Sequence, residues 1–316
     1  HFLKSLGMDV SFYIPDRTEE GYGISETAVM FLLENPYDLM ITVDCGISAK
    51  ERLDQLQTGL IDQGRKMDVI ITDHHQPNPD SIPNALAVVN PHVSGSNYPF
   101  QRLCGAGIAF KLVQALCNRL NLADRYLDYV DLAALGTVAD IVDLSGENRV
   151  IVWAGLKKMQ RRPNMGIQAL LKVSEGTGRE IDTWLLGYIL APRINAAGRM
   201  GDASRGVYLF TAADPVQAED LARQMQQDNT LRQKTQEEIF QKSIEAIETD
   251  PSCKDGQVII VCGEGWHHGV IGIVASLLTE RYFKPCFVLS VQGDTATGSA
   301  RSVNGFNIFS AMDYCK

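Results

Sequence analysis

An α/β fold, with a parallel-sheet domain joined by a long helix to a smaller α/β domain, is predicted by three features. These are β-branched runs that stop on acids, helical segments between them, and a long polar stretch lacking glycine and proline. The central run is Val69-Ile70-Ile71-Thr72, which reads as a buried strand and stops on Asp73-His74-His75. Buried parallel strands present their C-terminal ends to ligands, so these three residues should stand at the mouth of a site. Leu39-Met40-Ile41-Thr42-Val43 runs into Asp44 in the same way, and Ala87-Val88-Val89 runs into Asn90-Pro91-His92. A lone His at a strand end is commonly a hydrogen-bonded surface residue. Three successive strand ends bearing oxygen and imidazole ligands instead predict a metal centre.

In chain order, Asp9-Val10-Ser11-Phe12-Tyr13-Ile14 reads as a strand with Asp16-Arg17 at its end, which brings Arg17 toward the edge that holds Asp44. A glycine-bearing loop, 19–25, follows, and Ser25 is positioned to cap a helix through about Leu33. After Asp44, Ser48 is expected to cap a helix from Ala49 to Leu56, with a polar stretch from Gly59 to Arg65 before the next strand. This alternation forms βαβ units, whose right-handed crossovers bring the strand ends to one edge. Gly105-Ala106-Gly107 opens an amphipathic helix through Leu120, and Asp128 to Leu135 reads as another. The latter leads into Gly136-Thr137-Val138-Ala139-Asp140-Ile141-Val142-Asp143. An acid amid small and apolar neighbours must be paired or hold a metal. Asp140 is read as a ligand and Asp143 as paired.

Further on, Ala191-Pro192-Arg193-Ile194-Asn195-Ala196-Ala197-Gly198-Arg199-Met200 reads as a loop of small residues where a phosphate could approach, or as an interface loop with its arginines satisfied by carboxylates. Pro215 to Ile247 predicts a long, mostly exposed connecting helix. A second domain begins near Gly256 with the strand Val258–Val261. It continues through a loop, 263–269, that feeds a helix from Val270 to Arg281, and through strands at Cys286–Ser290 and up to Ser302. A glycine-rich loop before a helix offers free N–H groups to an anion. Ser299 and Arg301 alternate onto one face and add a hydroxyl and a guanidinium, a plausible phosphate clamp. His267 and His268 read as loop residues lining a substrate groove rather than as ligands.

At 316 residues the chain can bury two cores, and 45% hydrophobic residues is ordinary for a globular protein. No apolar run approaches the roughly 18–20 residues of a membrane span, and the N-terminus is no signal peptide. Seven scattered cysteines without a C-x-x-C pair indicate neither a disulfide framework nor a thiolate zinc site, and a reducing cytoplasm is the expected setting. A net charge of −9 argues against a broad basic nucleic-acid surface, so a nucleic-acid partner would be held by local arginines. The chain starts without Met and stops on Lys316 inside an expected helix, which reads as a piece of a longer protein.

Together, Asp73-His74-His75, Asp44 in VDCGIS, the segment Gly136–Val142, PRINAAGRM at 192–200, and the later GEGWHHGVIGIVA and GSARS resemble the DHH phosphoesterase superfamily. More narrowly, they resemble its bacterial exonucleases specific for single-stranded DNA. Three letters match by chance often; five segments in order do not. The resemblance implies a DHH phosphoesterase domain over 1–212, a connecting helix over 213–254 and a DHHA1 domain over 255–316. It implies an active site holding a Mn²⁺ or Mg²⁺ pair. Asp44, His74 and Asp140 match metal ligands, and His75 a catalytic residue close to the scissile phosphate. Asp73 matches either a ligand or the partner that orients a histidine. Arg17, Ser299 and Arg301 match positions that hold a 5′-terminal phosphate. Arg193, Asn195 and Arg199 fall in a motif that lines the DNA path, with His268 beside the substrate. The family also has an aspartate-rich DxDxDG-type motif, expected before His1. Its GGHxxAAG motif and an OB-fold domain are expected after Lys316. This piece alone is therefore expected to bind metal poorly and cleave little.

The implied activity is metal-dependent 5′-to-3′ hydrolysis of single-stranded DNA in repair and recombination, with a helicase and a single-strand-binding protein as expected partners and no membrane. Any base stacking would be sequence-tolerant. One competing reading is a DHH phosphoesterase of short oligonucleotides, cyclic dinucleotides or pyrophosphate, against which the PRINAAGR segment counts. Another is a non-catalytic single-strand binder, whose mark would be eroded ligands; here Asp44, His74 and Asp140 are intact.

Overall fold

In the computed structural model, which describes residues 1–17, 19–174 and 176–315, the chain divides into two compact units. One consists of His1–Ile194 with Ser204–Gln224, and the other of Asn195–Ala203 with Met225 onward. In the first unit a short helix α1 (Phe2–Ser5) precedes an irregular segment, and α2 (Glu26–Glu34) starts where the Ser25 Oγ accepts the Ala28 N–H at 2.9 Å. Then come β1 (Leu39–Val43), α3 (Lys50–Asp62), β2 (Asp68–Thr72) and β3 (Ala87–Val89). The three strands form one parallel sheet in the order β1-β2-β3, with Ile41 opposite Ile70 and Ile71 opposite Val88. All three therefore end at the same edge.

The sheet's apolar residues face helices. Val69 and Ile71 pack with Leu53, Leu56 and Leu60 of α3 and Val29 of α2 in one buried cluster. Each such side chain contributes roughly 1.5–3 kcal/mol when taken from water. Gly59 lets α2 approach α3, since a Cβ there would lie 2.9 Å from Leu33 Cδ1. The rest of the unit is helical, with α4 (Gly105–Arg119), α5 (Val130–Ala139), α6 (Gly146–Arg161), α7 (Met165–Val173), the start of α8 (Ala191–Met200), α9 (Ser204–Thr211) and the start of α10 (Pro215–Thr249).

The second unit holds the remainder of α8 and α10, then α11 (Pro251–Asp255), β4 (Ile259–Glu264), α12 (His268–Tyr282), β5 (Cys286–Gln292), β6 (Thr295–Arg301) and α13 (Ile308–Tyr314). β4 pairs parallel with β5, and β6 returns antiparallel through the two residues Gly293 and Asp294, Gly293 taking φ +59°. Its core joins Val270, Ile271, Val274 and Leu278 of α12 to Ile259, Val261, Cys286 and Val288 of the strands and to Ile239 and Ile247 of α10.

Four expectations need correction. The segment around Asp9–Ile14 is neither helix nor strand and pairs with no strand among the described residues. Alternation encodes faces, not a ladder partner. Ser48 does not cap α3, whose N-cap is Ala49, and α3 runs on to Asp62 because Gly59 is tolerated where it packs. The helix expected from Asp128 instead begins with a 3₁₀ turn, Arg125–Tyr129, before α5 starts at Val130. Residues 191–200 are helix rather than loop, entered from a π-helical turn, Leu185–Leu190. That wider turn accommodates Pro192, whose ring would clash with the carbonyl four residues earlier in a regular α-helix. The long helix α10 runs from the first unit, which ends at Gln224, into the second, with Ala218, Ala222, Met225 and Ile247 fully buried.

Candidate metal centre

Asp44 leaves β1 in the left-handed region at φ +63°, and its N–H donates to the Thr72 carbonyl at 3.0 Å. Thr72 Oγ1 in turn donates to the Thr42 carbonyl at 2.6 Å, and Thr42 Oγ1 to the Cys45 carbonyl at 2.8 Å. Gly46, at φ +107°, completes the turn where a Cβ would lie 2.8 Å from Thr42 Oγ1. The turn thereby aims the Ile47 N–H at Asp73, whose Oδ2 accepts it at 3.0 Å.

The Asp73 side chain is 1% exposed, yet its charge is fully answered. Oδ1 accepts the backbone N–H of His74 at 2.8 Å and of His75 at 3.2 Å, and the His75 Nδ1 proton at 2.6 Å. Burial pushes the Asp73 pKa up, but the bonds from Ile47 and His75 outweigh it and hold the group below its ordinary value. With Nδ1 as donor, His75 keeps its Nε2 lone pair for a ligand, the usual arrangement of a carboxylate behind a metal-binding histidine.

His74 Nε2 lies 3.1 Å from Asp44 Oδ1 and 3.6 Å from Asp140 Oδ2. Asp140 arrives from far along the chain as the C-cap of α5, and the next residue, Ile141, sits at φ +58° with 89% exposure. Left-handed geometry is an outlier for a β-branched residue and marks a constrained turn. Asp44, His74 and His75 can each offer one donor atom with all three within 4.8 Å of one another. Burial pushes the Asp44 carboxyl up; His74 pulls it down, Asp140 pushes it up, and the net direction is upward. Two carboxylates and two imidazoles gathered at one point are a donor set for a divalent cation, so the residues fit a metal. Mixed carboxylate and imidazole donors suit Mn²⁺.

Two residues of this centre, Gly105 and Tyr22, were not singled out from the sequence as site residues, and Asn90 was read with His92 as a ligand-bearing strand end. Gly105 opens α4 beside Asp44, and a Cβ there would lie 2.1 Å from Asp44 Oδ1. Asn90, 4% exposed, donates to the His75 carbonyl at 2.9 Å and accepts the His92 N–H at 2.8 Å. The His92 ring meets Gln76 at 3.2 Å, so the third strand end supplies scaffold, with no donor in the converging set. Tyr22 donates its hydroxyl to the Asp44 carbonyl at 2.5 Å. A glycine at a helix start and a polar residue at a strand end were the available signals. Asp143 is paired with Arg102 and accepts from Ser145 at 3.1 Å.

Elsewhere in the first unit, Arg17 is exposed in the turn before the glycine loop. Arg193 donates to the Ile189 carbonyl at 2.5 Å, a group left inside the π turn. In the second unit Asn195 is exposed on α8, and Arg199 donates to the Gly269 carbonyl at 2.9 Å. A Cβ on Gly269 would lie 2.4 Å from the Arg199 carbonyl oxygen, so backbone meets backbone there. His268 is the first residue of α12, capped by His267, whose Nδ1 accepts the Gly269 N–H at 3.1 Å. Ser299 and Arg301 both face Gly272 of α12, where a Cβ would lie 3.0 Å from Ser299 Oγ and 3.3 Å from an Arg301 nitrogen. Arg301 Nε also donates to Ser276 Oγ at 3.2 Å.

Residues 1–137 match the DHH family, N-terminal domain, and residues 255–315 match the DHHA1 domain. The chain is 41% identical over 318 residues to the single-stranded-DNA-specific exonuclease RecJ of Bacillus subtilis, covering 100% of this chain and 39% of that protein. It therefore spans well under two thirds of that relative. A crystal structure of exonuclease RecJ bound to manganese superposes with a TM-score of 0.84 at 35% identity, over 99% of this chain and 75% of that one. RecJ from Thermus thermophilus in complex with Mn²⁺ gives a TM-score of 0.82 at 33% identity, over 99% and 43%.

Proposed function

This chain belongs to the RecJ family of DHH proteins, and on that premise we propose that it carries the catalytic core of a metal-dependent exonuclease that hydrolyses single-stranded DNA from its 5′ end. The observation that carries the reading is the convergence of Asp44, His74 and Asp140 at the common edge of a parallel sheet, with Asp73 holding His75 from behind. Asp44, His74 and Asp140 would hold Mn²⁺ or Mg²⁺, with His75 in reach as a further donor. Bound there, the cation acidifies water and neutralises charge that builds on the phosphoryl oxygens.

The protein's own residues do the rest. Asp73 fixes the proton of His75 on Nδ1, which leaves Nε2 to face the scissile phosphate or the metal. Asn90 holds the backbone carbonyl of His75, and the ring itself is held by Asp73. Ser299 and Arg301, over the small surface of Gly272, supply a hydroxyl and a guanidinium suited to a terminal phosphate, and Arg17 belongs to the same proposal. Arg193, Asn195, Arg199 and His268 are proposed along the strand's path, although Arg199 also serves the backbone of α12.

No helix among the described residues is long and apolar enough to cross a membrane, and all seven cysteines are free. A cytoplasmic location agrees with those free thiols. Partners that expose single strands, a helicase and a single-strand-binding protein, rest on the family alone.

The test uses the intact protein with Mn²⁺ and single-stranded DNA labelled at either end, beside duplex DNA, dinucleotides and pyrophosphate. Mononucleotides released from the 5′ end of single strands support the proposal, and Asp44→Ala and His74→Ala should abolish that release. Turnover of dinucleotides or pyrophosphate alone would move the protein to the small-substrate branch of the superfamily.

A further inference from the structure

We infer that the outer face of α6 is a cationic track that grips the substrate strand beyond its reacting end, an inference that rests on the function proposed above. Arg149, Trp153, Lys157 and Arg161 recur at every fourth residue, and all four are exposed, Trp153 at 59%. Four residues only slightly exceed one helical turn, so the side chains form one gently winding row, about 6 Å from each to the next along the axis and about 18 Å from end to end. That step is close to the spacing of successive phosphates on an extended single strand. None of these three cations forms an ion pair among the described residues. Lys158, by contrast, is spent on the buried Asp131 at 2.8 Å, and the helix's one acid, Glu147, is held by Tyr98 and Lys111. In a chain of net charge −9, a helix face with three cations and no competing acid is a local reversal of sign, and it favours a polyanion.

The aromatic in the row adds a second kind of contact. Lys157 Nζ lies 3.7 Å from the centroid of the Trp153 ring, so cation and indole act as one unit that can meet a phosphate and a base together. Regular spacing along one straight element suits the repeating charge of a nucleic-acid backbone better than an acidic peptide, whose charges follow no such period. The position of the row fits as well. The short connection 140–145 joins α5 to α6, and the two helices pack side by side. The N-terminal end of α6 therefore lies at the end of α5 that carries Asp140, and the row leads from Arg149 away from the metal centre. A strand whose reacting phosphate sits at Asp44, His74 and Asp140 can continue along it.

The experiment compares the intact protein with a Lys157→Gln/Arg161→Gln double variant and with Trp153→Ala. Binding of 5′-phosphorylated single strands of about four and about twenty nucleotides is measured without divalent metal over a range of salt, and turnover is measured with Mn²⁺. The double variant should bind the long strand roughly 10-fold more weakly, and its slope of log K against log salt should be smaller by about 1.4, since each lost phosphate contact removes about 0.7. W153A should also weaken the long strand roughly 10-fold, with the slope unchanged. Turnover of the short strand should stay at the wild-type rate in both. Long-strand affinity and slope unchanged in the double variant would overturn the inference and leave the proposed activity standing. Loss of polyglutamate binding with long-strand affinity intact would assign the face to an acidic protein partner and overturn it equally. A wild-type protein that neither binds nor degrades single strands overturns both readings.

Discussion

Gly105 and Asp44 are placed so closely that no side chain fits between them: a Cβ on Gly105 would lie 2.1 Å from Oδ1 and 2.5 Å from Cγ of Asp44. Gly105 is the first residue of α4, so the Asp44 carboxylate rests against a helix N-terminus, where negative charge is favoured. Gly105→Ala should displace Asp44 and weaken Mn²⁺ binding by roughly 10- to 100-fold, the scale seen when the support of a ligand is lost. Isothermal titration with Mn²⁺ measures this; wild-type affinity in G105A would mean that Asp44 is not needed in its present position.

Metal should also stabilise the fold. A cation at 100 times its Kd adds about 2.7 kcal/mol to a protein that binds it only when folded. Thermal melts should therefore rise with Mn²⁺ and fall back with a chelator, and Asp44→Ala and His74→Ala should abolish the rise. Melts indifferent to Mn²⁺ would argue against a site built from these residues.

Near the glycine loop, Tyr13 donates to Glu20 Oε2 at 2.7 Å, Ser25 donates to the same oxygen, and the Asp16 N–H donates to Oε1 at 2.8 Å. Burial and then the bond to Glu20 push the Tyr13 phenol up to about 12. Burial raises Glu20, but bonds from Ser25, Asp16 and Tyr13 outweigh it and hold the carboxyl below its ordinary value. The depressed Glu20 stabilises the fold above the unfolded carboxylate pKa, and that contribution is lost as pH falls through the folded value. The raised Tyr13 stabilises below the ordinary phenol value of 10.0, and its contribution is lost as pH rises toward 12. Melting temperature against pH should decline at both ends, and Tyr13→Phe should flatten the alkaline decline. An alkaline arm unchanged in Y13F would assign it to other groups.

Arg301 offers a planar fork that a lysine cannot reproduce. Arg301→Lys should raise KM for 5′-phosphorylated strands roughly 10-fold, consistent with about 1.5–3 kcal/mol for a charged hydrogen bond. Strands with a 5′-hydroxyl should change little. An equal loss on both substrates would show that Arg301 does not read the terminal phosphate.

What the sequence settled by itself was local and periodic. Val69–Thr72 is a β-branched run that reads as a buried strand, and the structure makes it one, so Asp73, His74 and His75 emerge at its end, and Asp44 likewise after β1. Periodicity also placed the long helix α10, and alternation put Ser299 and Arg301 on one face of β6. Tertiary structure decided what depends on approach. The parallel crossover brings two strand ends together, but only packing of α4 on the sheet and of α5 on α4 sets Gly105 against Asp44 and carries Asp140 to within 3.6 Å of His74. The Asp9–Ile14 segment, which forms no strand, shows the same limit from the other side: a pattern fixes which face is apolar, whereas a strand also needs a neighbour to accept its hydrogen bonds. Residues 191–200 read as loop because small residues around a proline suit a loop locally; a π turn before Pro192 removes the clash and lets helix continue. Side-chain chemistry is written in the chain one residue at a time. The distances that turn it into a site are set by contacts between residues far apart in it.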